Sequence, residues 1–215
     1  MENQNIVRTH HCNELNAKNL DHEVSLCGWV NTRRDHGGVV FIDLRDRNGL
    51  TQVVFDPKIV QGEVAHQLAG ELRTEFVIWC KGKVRARPEG MTNSNLVTGE
   101  IEVACTELEI LSKAKTPPFP IEDDLEVSES VRLKYRYIDL RRPSLQKNLI
   151  TRHRMNQIIR NYLDENSFLE IETPVLYKST PEGARDFVVP SRLNTGEFYA
   201  LPQSPQTLKQ LLMVS

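Results

Sequence analysis

The sequence predicts an all-β barrel of five strands plus one helix, followed by the start of an α+β domain with an antiparallel sheet. Three observations carry this reading. Up to residue 112, apolar side chains recur at every second position, the period of a half-buried strand. From Leu145 onward they recur at every third or fourth position, the period of a helix. Between the two lies Lys113 to Ser130, where Pro117, Pro118 and Pro120 precede Glu122, Asp123, Asp124 and Glu126. Prolines remove donors and acids repel one another, so this stretch reads as a linker. The expected division is a barrel over 1–112, a linker over 113–130 and a second segment over 131–215, with no internal repeat.

The elements follow in order. Val24–Asn31 is a first strand. Val40, Ile42 and Leu44 alternate with Phe41, Asp43 and Arg45 in the second. Asn48-Gly49 supplies a two-residue turn that tolerates positive φ, and Leu50–Phe55 is the hairpin partner. A helix over Val60–Leu72 comes next. Phe76–Arg87 and Ile101–Ser112 are two more strands, joined by a loop containing Pro88 and Gly90. Three strands, a helix and two strands is the connectivity of an OB-fold, a partly open barrel that binds oligonucleotides. After the linker, Leu145–Asn166 is helical, with Leu145, Leu149, Ile158, Ile159, Tyr162 and Leu163 near one face. Glu170–Leu176 and a Gly/Pro-bounded segment, Ser179–Asp186, lead to short strands near Phe187–Val189 and Glu197–Leu201. A terminal helix then opens on Ser204 as N-cap and Pro205 at its first position. Leu208, Leu211 and Leu212 give it one apolar face, and Ser215 lies inside it.

Composition narrows the function classes. The 215 residues carry a net charge of −2, so basic charge for a nucleic acid has to be local. Met1 to Asn13 is polar and lacks the pattern of a signal peptide. No apolar run approaches the roughly 20 residues of a membrane span. Cys12, Cys27, Cys80 and Cys105 are far apart, which argues against a zinc site and a disulfide framework. A reduced, cytoplasmic protein is the expectation, with no metal site.

Local basic charge is present. Lys81, Lys83, Arg85 and Arg87 alternate with Gly82, Val84 and Ala86, so they project from one strand face. Such a row suits a phosphate backbone and equally a solvated outer face. Arg33 and Arg34 end the first strand, and Phe41 points from the second on the face of Asp43 and Arg45. A basic face with an aromatic platform can stack a base and track its phosphates. For base edges, Gln52 can donate and accept, and Glu102 can accept from a cytosine amino group.

Longer runs are more specific. Gly28-Trp29-Val30, Arg33-Arg34-Asp35-His36-Gly37-Gly38 and Phe41-Ile42-Asp43-Leu44-Arg45-Asp46 resemble the anticodon-binding domain of class II aminoacyl-tRNA synthetases for aspartate, asparagine and lysine. Arg132 to Pro143 resembles the hinge of the same group, and Glu172-Thr173-Pro174 stands where that class carries its first motif. Thr180 to Phe187 looks like the mobile loop that closes over aspartate. Ala200 to Gln206 and Lys209-Gln210-Leu211-Leu212 resemble the aspartate-binding segment. The resemblance runs from Arg8 onward and favours the aspartate branch. Thr207-Leu208 departs from it, where many relatives have Leu-Phe.

The resemblance implies that Arg34, Phe41, Gln52 and Glu102 bind the anticodon. It implies that Lys209 takes the side-chain carboxylate of L-aspartate while Glu182, Ser204 and Gln206 hold its ammonium. Histidine at His36 and glycine at Gly90 imply relaxed tRNA discrimination, so that tRNA(Asn) is charged as well as tRNA(Asp). It further implies ATP and Mg2+ as cofactors of the full-length enzyme and a homodimer built around Pro174. The family's ATP-binding motifs lie beyond Ser215, so the 215-residue chain is expected to bind tRNA without activity, to carry no catalytic residue and to hold no cofactor. The alternative is an OB-fold nucleic-acid-binding module without ligase activity.

Overall fold

The computed structural model describes residues 6–180 and 185–215. They separate into two compact units, Met1–Ile150 and Thr151–Ser215. In the first unit, β1 (Glu23–His36), β2 (Val39–Asp46), β3 (Gly49–Phe55), β4 (Val77–Ala86) and β5 (Ile101–Ser112) close a barrel in the order β1-β2-β3-β5-β4. Neighbours are antiparallel except β3 and β5, which pair in parallel at Val53–Val103 and Val54–Ala104. Helix α1 (Glu63–Ala69) sits between β3 and β4 in sequence and buries Ala65 and Ala69 in the barrel core. The alternating set Val40, Ile42 and Leu44 faces that core together with Val24, Leu26, Val53, Phe55, Ile78, Val84, Ile101 and Val103.

Several sequence expectations need correcting. β1 continues past Asn31 to His36, because Arg33, Arg34, Asp35 and His36 pair with Ile42, Phe41, Val40 and Val39. Backbone pairing to β2 carries a stretch whose side chains show no apolar alternation. The turn after it is Gly37-Gly38, both at positive φ (61° and 84°). The second hairpin turns on Arg47-Asn48, not on Asn48-Gly49, since Asp46 pairs with Gly49. The buried Asp46 carboxylate accepts the N–H groups of Asn48 (2.7 Å) and Gly49 (3.2 Å) and so sets the turn. Helix α1 is shorter than Val60–Leu72: Gln61, at φ 68°, stands outside it and Gly70 caps its end.

Residues 113–130 are more ordered than their composition suggests. Phe119 is buried. Arg142 donates from Nε to the Glu122 carbonyl (2.9 Å) and from Nη2 to the Asp123 carbonyl (2.8 Å). The Asp123 carboxylate in turn accepts from the Ser144 hydroxyl (2.5 Å) and backbone N–H (3.2 Å). Those bonds hold the Asp123 carboxyl below the usual carboxylate range. Two short helices, α2 (Glu129–Lys134) and α3 (Arg136–Asp139), form the hinge segment. Asp139 is fully buried between Arg136 and Arg142. The buried Glu75 ties this segment to the barrel, accepting from Arg45 Nη2 (2.7 and 2.9 Å) and from Arg141 Nη1 (2.8 Å). Both guanidiniums lie over the Trp29 ring, 5.9 and 4.7 Å from its centroid.

Helix α4 (Pro143–Glu165) runs into the second unit, which also holds β6 (Phe187–Pro190), β7 (Phe198–Leu201) and α5 (Gln206–Met213). β6 and β7 pair antiparallel, with a bridge from Tyr177 to Ala200. Among the described residues of this unit, Ala200 alone is buried. Met155, Ile158, Ile159, Tyr162 and Leu163 of α4 are exposed. Residues 170–176 are irregular. Ser204 is not the N-cap of α5: Pro205 holds that position at ψ 31°, without a side-chain cap. The helix ends at Met213, short of Ser215. No helix among the described residues is long and apolar enough to cross a membrane.

Candidate nucleic-acid interface

Cross-strand register assembles the barrel site. Arg34 on β1 lies opposite Phe41 on β2, and Asp43 on β2 lies opposite Gln52 on β3. The parallel β3–β5 pairing brings Gln52 beside Glu102, which lies opposite Arg85 on β4. A chain of polar contacts crosses the face along this path. Arg34 grips Asp43 with both terminal nitrogens (2.7 and 2.8 Å). Gln52 donates from Nε2 to Glu102 (2.9 Å), and Arg85 donates from Nε to the other Glu102 oxygen (2.8 Å). Bidentate and charge-assisted bonds of this kind fix side chains in place. Glu102 is 2% exposed, and each of its oxygens keeps a lone pair for an incoming amino group.

Arg34, Gln52, Glu102 and Arg85 line a groove of about 620 Å³. It gathers Arg34, Phe41, Gln52 and Glu102 with His36, Arg85, Arg87 and Met91. The four anticodon candidates thus share one concavity, although 68 positions separate Arg34 from Glu102 (102 − 34). Phe41 stays half-exposed while its neighbours Val40 and Ile42 are buried, which leaves its ring free to stack. The His36 ring lies 6.0 Å from it, tilted by 59°. Gly90 is not among the lining residues, though its neighbour Met91 is. Its φ of 77° and the open space around it make it a backbone requirement, not a steric one.

The row of four cations is a paired face, not a bare one. Lys81 reaches Glu23 (2.9 Å) and Glu107 (3.4 Å), Lys83 reaches Asp21 (2.8 Å), and Arg85 reaches Glu102. The bond to Glu23 holds the Lys81 ammonium above its usual pKa. Arg87 differs. Its Nε donates to the Ile101 carbonyl (3.1 Å), while Nη2 is buried without a partner. Burial also pulls its pKa below the usual arginine value. Sequence reasoning placed Arg87 in the row but did not single it out, and only the fold separates it from its paired neighbours.

The second candidate group is less assembled. Glu182 lies outside the described residues. Ser204 is exposed ahead of α5, Gln206 is the half-exposed first residue of that helix, and Lys209 is exposed within its first turn. The Lys209 N–H donates to the Pro205 carbonyl (2.8 Å), and none of the three side chains bonds to a described residue. At the base of the loop, the Ser179 hydroxyl donates to Asp186 (2.8 Å). Among the described residues no three His, Cys, Asp or Glu side chains converge as a metal site.

Residues 24–111 match the OB-fold nucleic acid binding domain, and residues 128–215 match the class II tRNA synthetases (D, K and N). The segment that matches the class II synthetases thus follows the nucleic-acid-binding barrel along the chain. Among curated proteins, it is 62% identical over 209 residues to the aspartate–tRNA(Asp/Asn) ligase of Oleidesulfovibrio alaskensis, covering 97% of this chain and 34% of that protein. It is 60% identical over 209 residues to the enzyme of the same name from Protochlamydia amoebophila, covering 97% of this chain and 35% of that one. The chain therefore spans about a third of the length of these relatives. Among solved structures, asparaginyl-tRNA synthetase from Pyrococcus horikoshii complexed with asparaginyl-adenylate matches with a TM-score of 0.79 at 24% identity, covering 98% of this chain and 46% of that one. A putative aspartyl-tRNA synthetase from Leishmania major Friedlin matches at 0.78 and 21% identity, over 99% of this chain and 42% of that one. At those identities the likeness is one of fold.

Proposed function

We propose that this chain is the tRNA-reading and aspartate-binding part of an aspartate–tRNA ligase that charges both tRNA(Asp) and tRNA(Asn). The observation that carries the proposal is the groove in which Arg34, Phe41, Gln52 and Glu102 meet. Phe41 stacks an anticodon base, Arg34 meets a phosphate, and Gln52 and Glu102 address base edges. Glu102 accepts from the cytosine amino group of one anticodon. Uracil in the other presents an acceptor there, and His36, which can donate or accept by tautomer, supports the relaxed reading. Gly90 supports it through the freedom of its loop.

In the second segment Lys209 faces the aspartate side-chain carboxylate, and Glu182, Ser204 and Gln206 hold the ammonium. Asparagine would present amide hydrogens to Lys209 and leave buried polar groups unpaired. The reaction needs no protein nucleophile. The aspartate carboxylate attacks the α-phosphorus of ATP and expels pyrophosphate, and a hydroxyl of the tRNA's terminal ribose then takes the aspartyl group from the adenylate and expels AMP, so positioning and charge stabilisation carry the catalysis. Class II synthetases generally use ATP and Mg2+ for the first step. The exposed apolar residues of α4 support a homodimer formed through the segment around Pro174. The enzyme works in the cytoplasm.

Kinetics of the whole enzyme containing this chain test the proposal. Phe41→Ala and Glu102→Ala raise KM for tRNA and leave KM for aspartate near wild type. Lys209→Ala does the reverse and lowers aspartate activation by about a hundredfold or more, as expected when a buried ion pair loses one partner. Unchanged tRNA kinetics in both barrel variants would remove the groove from anticodon reading. A preference for tRNA(Asp) over tRNA(Asn) of about a thousandfold would defeat the relaxed specificity. A polypeptide of these 215 residues binds tRNA in a salt-sensitive way and catalyses no aspartate-dependent pyrophosphate exchange.

A further inference from the structure

The tip of the β1–β2 hairpin carries His36 into the groove, yet Gly37 and Gly38 at its turn have no side chains to anchor it. Both have positive φ, and nothing lies within 4 Å of a Cβ built on either. A two-glycine tip of this kind is free to wander unless its backbone groups are held. Those of Gly38 are held, the carbonyl from outside the hairpin and the N–H from within it. The His66 ring on α1 lies with Nε2 2.6 Å from the Gly38 carbonyl. A carbonyl only accepts, so Nε2–H is the donor. The Gly38 N–H donates to the Asp35 carboxylate (3.2 Å). Asp35 in turn pairs with Arg33 (3.5 Å), whose Nε donates to the Ala69 carbonyl at the end of α1 (3.2 Å). Helix, arginine, aspartate, glycine and histidine therefore close a ring that starts and ends on the last turn of α1.

We propose that α1 is a brace for the reading hairpin and that His66 is a positioning residue for anticodon recognition. This rests on the reading of the barrel groove as the anticodon site. His66 does not line that groove. It acts through Gly38, two residues from His36, and so sets where the His36 ring stands relative to Phe41. Without the His66 bond the tip keeps its Asp35 contact but loses its tie to the helix, and His36 samples positions that no longer meet the base, cytosine or uracil, by which the two anticodons differ. A residue outside the groove then determines specificity, and most strongly toward tRNA(Asn), whose charging depends on the adaptable partner.

The experiment is aminoacylation by the whole enzyme with purified tRNA(Asp) and tRNA(Asn), comparing wild type, His66→Ala, His66→Gln and Phe41→Ala. His66→Ala raises KM for tRNA(Asn) about fivefold more than for tRNA(Asp), the factor one net hydrogen bond carries. The kcat values and aspartate-dependent pyrophosphate exchange stay at wild type. His66→Gln, whose side-chain amide donates from a similar reach, restores the ratio to within about twofold of wild type. An unmoved ratio in His66→Ala, with Phe41→Ala still raising KM for tRNA, overturns the brace and leaves the anticodon reading standing. No change in either variant overturns both. A melting temperature that falls in step with the rise in KM, or a failed rescue by His66→Gln, makes His66 a folding residue and also overturns the assignment.

Discussion

Glu75 joins the barrel to the hinge segment, and its removal has a calculable cost. Its side chain is 6% exposed and accepts from Arg45 and Arg141, whose side chains are 12% and 31% exposed. Glu75→Ala leaves the Arg45 guanidinium buried without its carboxylate, a loss of about 3–5 kcal/mol for a broken buried pair. Arg141 reaches solvent, so its share is that of a screened pair, about 0–1 kcal/mol. Backbone conformation provides an internal control. Glu75 sits at φ 67°, where a residue with a Cβ is strained by roughly 1–2 kcal/mol. Glu75→Gly therefore recovers about 1 kcal/mol relative to Glu75→Ala although both delete the carboxylate. Urea denaturation of the 215-residue chain followed by tryptophan fluorescence measures this directly, since its two tryptophans, Trp29 and Trp79, lie on β1 and β4. Against a total stability of about 5–15 kcal/mol the effect is large. A loss below about 1 kcal/mol for Glu75→Ala, or a glycine variant less stable than the alanine variant, would refute the reasoning.

Two other measurements bear on the same unit. Burial pushes the Cys12 thiol well above its usual pKa, and Cys80 is raised by its contact with Cys105 together with burial. In the native protein both resist alkylation by iodoacetamide at pH 8, while the half-buried Cys27 reacts first; mass spectrometry of labelled peptides reads the order. The lowered Asp123 pKa makes its bonds to Ser144 stabilising above the ordinary carboxylate pKa of about 3.9. That contribution fades as the pH falls through the lower folded value. Ser144→Ala is accordingly less stable than wild type at pH 7, and the difference shrinks as the pH falls below the ordinary carboxylate pKa, by thermal melts across that range.

Barrel topology was legible because its core obeys a simple period. Val40, Ile42 and Leu44 gave β2, and Ile101–Ser112 was read to its observed ends. What escaped was whatever depends on partners distant in sequence. Thr32 to His36 form strand because β2 lies alongside, and no local pattern announces that. Lys81 and Lys83 suit a phosphate track and a solvated face equally in the sequence, and only register sets Glu23, Glu107 and Asp21 against them. The groove residues could be nominated singly by chemistry, since Phe41 breaks an apolar alternation and Glu102 interrupts a β-branched run. Their meeting is a consequence of barrel closure. The hinge helices went unread because α2 and α3 span six and four residues, too short for a period to appear. For Ser204, Gln206 and Lys209 the motif was the whole signal, because Ser204 and Lys209 are exposed and Gln206 is half-exposed at the start of a short helix.

The clasp of Arg142 on the carbonyls of Glu122 and Asp123 changes where the chain can usefully be divided. Composition invites a cut at Ser112, ahead of the prolines. Such a cut would keep all five strands of the closed barrel but discard the buried Phe119 and strip Glu75 of Arg141. A protein engineer isolating the nucleic-acid reader should carry the strap and both hinge helices with it. The piece that can be transplanted is therefore longer than the barrel it is named for.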